Sequence, residues 1–171
     1  GHVNNININS IWIDENDSLC ITNTVLVITF EDGTKIVYKP RNSQTEESFN
    51  KVIDWFNSQI SAIQLKTVKY LSRESYSWAE YIEHRKCSTQ DEVKSFYKRS
   101  GFISCILYAL GCADIHCHNL IAHGEYPVLI DTEAISGRND DSNAVCTCFL
   151  PNGYVTTDGE FICYSALGAE A

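Results

Sequence analysis

The stretch DIHCHNLIAHGEYPVLIDTE, residues 114–133, sets Asp114, His116, Cys117, His118, Asn119, His123, Asp131 and Glu133 around two short apolar runs. Side chains of these types at this density suit a metal site, a phosphoryl-transfer site or an ordinary polar loop. The runs NLIAH and PVLID, joined by GEY, read as a β-hairpin. Asp114, His116 and Asn119 lie at the entry to that hairpin, and Asp131 closes its second strand.

Working outward, STQDE places Glu92 three residues after Thr89, a capping-box signature that opens a helix over Asp91 to Leu110. Val93, Phe96, Tyr97, Phe102, Ile103, Ile106 and Leu107 fall on or near its buried side, and Gly111 ends it. Further upstream, TVLVITF (24–30), the turn EDG and KIVYK (35–39) predict a second hairpin, stopped by Pro40. From Thr45 to Ile63, apolar residues at three- and four-residue steps predict an amphipathic helix with Glu46 and Glu47 in its first turn. Two more strands are expected at 66–71 and 77–83. Beyond Glu133, SGRNDDSN reads as a loop, and the tail to Ala171 shows no strong period. This order predicts an α+β domain in two lobes, with residues 17–83 in the first and 84–171 in the second.

The composition of the 171 residues, 44% hydrophobic with three prolines, is that of a folded chain. A formal charge of −9 disfavours nucleic acid and anionic membrane surfaces, which need dense basic patches. No apolar run reaches membrane-span length, and the opening GHVNNININS lacks signal-peptide features, so a cytoplasmic location is expected. In that compartment the eight cysteines are expected as thiols. The chain holds no methionine, even at position 1, and is expected to be a piece of a longer protein.

Phosphoryl transfer needs a group to orient the attacking hydroxyl and oxygen ligands to hold magnesium against the nucleotide phosphates. Asp114, His116 at +2, Asn119 at +5 and Asp131 supply such parts from two adjacent elements. Their spacing resembles the catalytic loop and metal-binding aspartate of protein kinases, and the D-x-H-x-x-N form is closer to lipid kinases and small-molecule phosphotransferases. Lys39, at the end of a hairpin strand, matches the lysine that meets the phosphates. Glu46 and Glu47 are both candidates to pair with it, and Glu47 is the expected nucleotide-side residue. Zinc is disfavoured on spacing: His116, Cys117, His118, Cys112, Cys146 and Cys148 offer no C-x-x-C or H-x-x-x-H pairing.

The wording EDGTKIVYKPR, EESFNKVIDWFN, YSWAEYIEHRKC, EVKSFYKRSGFISCILYALGCADIHCHNLIAHGEYPVLIDTE, FLPNG and SALG, in that order, resembles the dehydratase domain of class II lanthipeptide synthetases. The resemblance implies an atypical, lipid-kinase-like fold, here incomplete. It also implies use of ATP and magnesium to phosphorylate Ser and Thr of a ribosomally made precursor peptide. Elimination of phosphate then leaves dehydroalanine or dehydrobutyrine, and a separate zinc-dependent cyclase domain completes the product. By resemblance, Lys39 contacts phosphates, Asp114 orients or deprotonates the hydroxyl, and His116 supports it. Asn119 and Asp131 hold magnesium, with Glu133 as a second acid.

Two departures bear on activity. In the family's upstream Gly-Asp-x-His run, Asp17 matches as a catalytic residue, but Leu19 stands at the histidine position and can carry no proton. Near the C-terminus CTCFLP, with Cys146 and Cys148, replaces the usual arginine and glycine, and the family's elimination residues lie beyond residue 171. The alternatives are a phosphotransferase with a small-molecule acceptor and a degenerate, non-catalytic remnant that binds peptide. Partners implied are the precursor peptide and the remaining synthetase segments or a cyclase domain.

Overall fold

A computed structural model describes residues 7–13, 24–135 and 144–168. In chain order the elements are β1 (Ile8–Ile13), β2 (Leu26–Phe30), β3 (Lys35–Lys39), α1 (Gln44–Gln59), β4 (Tyr70–Ser72), β5 (Ser77–Glu80), α2 (Gln90–Leu110), β6 (Leu120–His123), β7 (Tyr126–Leu129), β8 (Gly153–Val155) and β9 (Phe161–Cys163). Short 3-10 turns cover Cys117–Asn119 and Ala144–Thr147. The class is α+β, as expected. Two compact units divide the chain: Gly1–Glu47 with Val68–Tyr81, and Ser48–Thr67 with Ile82–Ala171. Residues 48–67, expected in the first lobe, thus group with the second unit.

The first unit is built on an antiparallel sheet ordered β1-β2-β3-β5-β4. Its β2–β3 hairpin turns where expected. Gly33 takes φ +82, and Asp32 Oδ1 accepts the Thr34 N–H at 2.8 Å. β1 was not foreseen. Ile8, Ile11 and Trp12 of its sequence INSIWI are exposed, so no buried stripe with a strand's period of two marks it. β4 begins at Tyr70 and β5 ends at Glu80, both shorter than the apolar runs that suggested them.

In the second unit, Phe49 and Ile53 of α1, Ile63 and Leu65 of the following loop, Ile103 and Leu107 of α2, and Cys112, Ile115, Leu129 and Phe149 form one buried cluster. The apolar period of α1 continues to Ile63, yet the helix stops at Gln59. Side chains explain the stop. Asn57 Nδ2 donates to Leu65 O at 2.9 Å while its Oδ1 accepts the Leu65 N–H at 2.8 Å. Gln64 Nε2 donates to Asn57 O and Ile60 O at 3.1 and 3.0 Å, satisfying carbonyls that a further turn would have used.

α2 has the ends its sequence announces. Thr89 Oγ1 accepts the Glu92 N–H at 3.1 Å, and the Glu92 carboxylate accepts from Ser88 N rather than from the cap residue itself. Gly111 sits at φ 64, ψ 35, and the Cys112 N–H reaches back to Leu107 O at 2.9 Å. β6 and β7 form the expected hairpin, with Gly124 at φ +60 as the first residue of a two-residue turn. Arg85 N donates to Ala122 O at 2.8 Å, adding a parallel bridge beside His123. β8 and β9 pair antiparallel in the tail for which no period was evident.

Leu107 is fully buried, and Leu107→Ala is expected to lower unfolding free energy by about 2–5 kcal/mol through the cavity it leaves. Gly111→Ala, which forces a side chain into the left-handed region, is expected to cost about 1–2 kcal/mol. Urea unfolding of both variants checks these values.

Candidate active site

In the first unit, β3 delivers Lys39 to the base of α1. Pairing of Lys39 with Ser77 across β3–β5 and a 2.7 Å bond between the buried hydroxyls of Ser43 and Ser77 fix the approach of the helix start. Asn42 Oδ1 caps that start by accepting the Gln44 N–H at 2.7 Å. Lys39 is 6% exposed and lies 3.7 Å from Glu46 Oε1, which is also 2.7 Å from Arg41 Nη2. Glu46 is itself 2% exposed, and neither of its oxygens accepts a well-aligned hydrogen bond among the described residues. The two cations therefore compensate it by charge rather than by directed hydrogen bonding. Lys39 also stands 5.8 Å above the Tyr70 ring.

Of the two candidate partners, Glu46 makes the pairing with Lys39, and Glu47, expected on the nucleotide side, does not. Adjacent residues on a helix point about 100° apart, so only one acid of the pair can face Lys39. The Glu47 carboxylate turns elsewhere and accepts the Ser72 N–H at 3.2 Å.

In the second unit, residues 113–117 are held by alternate backbone donors. Ala113 N donates to Ala134 O at 2.8 Å, Ile115 N to Thr147 O at 3.0 Å and Cys117 N to Tyr164 O at 3.1 Å. Ile115, 1% exposed, anchors the segment in the core. Asp114, between two of these anchors, has φ +61, a left-handed backbone that aspartate tolerates better than most residues. Its side chain stays 72% exposed.

The next residues organise around that turn. Asn119 Nδ2 donates to Asp114 O at 2.8 Å, which leaves the amide oxygen as a hard ligand. His116 Nδ1 accepts the His118 N–H at 3.3 Å. A neutral His116 so bonded carries its proton on Nε2, which lies 4.0 Å from Asp114 Oδ1; Asn119 Nδ2, 3.4 Å away, is itself a donor and is no hydrogen-bond partner of that tautomer. Asp131 is brought in by hairpin register. Leu120 pairs with Leu129, the Ile130 N–H donates to Asn119 O at 3.0 Å, and Asp131 is the next residue. Asp131 Oδ1 accepts the Glu133 N–H at 3.4 Å, which caps the chain as it leaves the strand.

Residues 2–169 match the family described as a domain of unknown function, DUF4135. The chain belongs to this family. It is also similar to a lacticin 481/lactococcin biosynthesis protein, LcnDR2, of Lactococcus lactis subsp. lactis. The two are 27% identical over 111 residues, covering 60% of this chain and 12% of that protein. The chain thus matches a small part of its relative's length. These matches bear out the kinship with class II lanthipeptide synthetases that the order of the motifs indicates.

Within this DUF4135 member, the C-terminal motifs act on the loop that carries Asp114. Cys148 and Phe149, from CTCFLP, accept from the Ala166 and Leu167 N–H groups of SALG at 3.0 and 3.1 Å. Fully buried Ser165 forms a backbone bridge with His116, and its Oγ accepts the Asn152 N–H at 3.3 Å. Cys163 Sγ donates to Asn152 O at 3.1 Å and lies 3.2 Å from Ser165 Oγ. The hydroxyl's hydrogen bond lowers the Cys163 thiol pKa. These residues carried no functional signal in the sequence beyond the resemblance of FLPNG and SALG.

The other expected residues divide clearly. Lys39 lies in the first unit; in the second, Asn119 is hydrogen-bonded to Asp114, His116 Nε2 lies 4.0 Å from Asp114 Oδ1, and Asp131 and Glu133 stand at the adjoining hairpin end. Asp17 and Leu19 lie outside the described residues. His123 is structural, its Nδ1 lying 2.7 Å from Glu83 O. Cys112 is buried at the end of α2, which pushes its thiol up to about 11 and keeps it a neutral, small hydrophobe.

Glu46→Ala removes the carboxylate that compensates a buried lysine and is expected to cost about 3–5 kcal/mol. Glu47→Ala loses one hydrogen bond and is expected to cost about 1 kcal/mol. Denaturant unfolding of the two variants side by side checks the assignment; equal losses would reject it.

Proposed function

We propose that the chain carries out ATP- and magnesium-dependent phosphorylation of Ser or Thr side chains in a precursor peptide. This is the first half of their dehydration in lantibiotic biosynthesis. The observation that carries the reading is the β6–β7 register, which sets Asp131 one residue beyond the partner of Asn119, beside the loop that presents Asp114. Kinship with a lacticin 481/lactococcin biosynthesis protein supports the peptide substrate. The proposal includes a two-lobed, lipid-kinase-like arrangement and a cytosolic setting. Among the described residues no helix is long and apolar enough to cross a membrane, and the described cysteines form no disulfide.

The donor set fits magnesium: the Asn119 amide oxygen, the Asp131 carboxylate and, close by, Glu133 are hard oxygen ligands. Bound there with ATP, magnesium would neutralise charge developing on the transferred phosphoryl group. Asp114, exposed and held in position by its left-handed turn, accepts the proton of the attacking Ser or Thr hydroxyl. His116 Nε2 lies 4.0 Å from the Asp114 carboxylate and supports the loop that presents it. Lys39, held 3.7 Å from Glu46 Oε1, meets an ATP phosphate.

A non-catalytic, peptide-binding remnant is the second reading, favoured by Leu19 at the position where the related synthetases carry histidine. Any activity past phosphorylation would draw on other synthetase segments or a cyclase domain.

Asp114→Asn keeps a residue that tolerates φ > 0 and is expected to stay within about 0.5 kcal/mol of the parent in unfolding. Its phosphopeptide yield, read by mass spectrometry with ATP and magnesium, is expected to fall by about 10²-fold or more. Undiminished phosphorylation would remove Asp114 from the mechanism. Calorimetric titration with Mg-ATP should show binding that Asp131→Ala abolishes; absence of binding in the parent chain would favour the remnant.

A further inference from the structure

We propose that His116, Cys117 and His118 form a binding site for one thiophilic divalent cation of the zinc class, and that its occupation holds the Asp114 loop inactive. The binding stands on geometry alone, whereas the inhibitory consequence rests on the function proposed above.

Three consecutive side chains on a 3-10 turn normally diverge by about 120° each. Here they converge: one ligand atom from each residue lies within 4.8 Å of the other two. The reason is local. His116 is not inside the turn but caps it, with an extended backbone at φ −87, ψ −178. Its ring therefore swings back toward that of His118, centroids 5.5 Å apart and nearly perpendicular. The Cys117 N–H bond to Tyr164 O and the Asn119 N–H bond to His116 O hold this backbone in place from both sides. Metal–ligand distances of roughly 2.0–2.3 Å put the ligand atoms of a tetrahedral site about 3–4 Å apart, so closure needs movements of only about an ångström. His116 and Cys117 are half-buried and His118 is exposed, which leaves one coordination position open to solvent. Neither Cys112, neutral in the core, nor the pair Cys146 and Cys148 belongs to the cluster.

The nitrogen that binds follows from the existing contacts. The His118 N–H bond to His116 Nδ1, at 3.3 Å, is the longest backbone-donated bond of the loop and the one a metal would replace. With the cation on Nδ1, the imidazole carries its proton on Nε2, which lies 4.0 Å from Asp114 Oδ1 and can donate there but cannot accept from Asn119 Nδ2 at 3.4 Å. This is the carboxylate–histidine–metal order that orients ligand histidines. Cys117 binds as thiolate, releasing its proton to solvent, and both imidazoles bind neutral. Metal binding thus strengthens the hold of His116 on Asp114 and withdraws that carboxylate from an incoming hydroxyl. Magnesium, a hard cation that takes oxygen ligands, does not compete for the cluster.

Cobalt(II), a spectroscopic stand-in for zinc, is titrated into the 171-residue chain under a non-thiol reductant. One equivalent is expected to bind with a thiolate-to-cobalt charge-transfer band, displaced by one equivalent of zinc and untouched by excess magnesium. Cys117→Ser is expected to lose the band with unchanged circular dichroism. His118→Ala and Asp114→Asn are expected to keep the band with affinity lower by about 10-fold or more. No band in the parent chain, or a band that survives Cys117→Ser, overturns the site. For the inhibitory half, one equivalent of zinc is expected to stop peptide phosphorylation by the parent chain but not by Cys117→Ser. Equal inhibition of both overturns it. If neither phosphorylates peptide without zinc, the proposed function and the inhibitory half fail together, while the cobalt titration still decides the site.

Discussion

Three backbone donors at alternate positions, Ala113, Ile115 and Cys117, carry the geometry of the second unit's candidate site. Their acceptors, Ala134, Thr147 and Tyr164, come from three separate later stretches of the chain. A segment pinned in this way has little freedom between its anchors. Asp114 lies between two of them and takes the left-handed conformation that the surrounding bonds impose. Its carboxylate is exposed as a result, while the next residue, Ile115, fills the core. Burial and presentation are thus coupled: the same register that sinks Ile115 turns Asp114 outward.

The first unit solves a different problem, the retention of charge where water is scarce. Two cations, Lys39 and Arg41, meet one buried carboxylate, that of Glu46. A buried ion pair contributes little net stability compared with an apolar core, but loss of one partner is costly. The arrangement therefore suits a position where a cation must be kept at a fixed place beside a strand end. It also explains why Lys39 is buried rather than solvated, the ordinary fate of a lysine at a strand end.

Much of this architecture was legible wherever the chemistry is local. Thr89 and Gly111 bracket α2 because capping and left-handed termination depend on a few neighbouring residues. The β2–β3 and β6–β7 hairpins follow from short apolar runs and glycine-bearing turns. What escaped was set at a distance. The end of α1 is dictated by Asn57 and Gln64 side chains that bond to carbonyls and to Leu65, against an apolar period that runs on. β1 and the β8–β9 pair are strands because partners exist for them, with too little buried surface to mark them beforehand.

The sequence by itself determined the types and order of the groups: a strand-end lysine, two helix acids, Asp114, His116 and Asn119 in one loop, and Asp131 after a hairpin. Covalent spacing and local turn chemistry are enough for that. Tertiary structure decided which acid meets Lys39, because helix rotation directs Glu46 and Glu47 to different partners. It decided that Asp131 stands beside Asn119, through hairpin register, and that His116, Cys117 and His118 converge, through an extended cap residue fastened to the segment just after β9. Such choices depend on backbone direction and on hydrogen bonds to residues far along the chain, which no local pattern encodes.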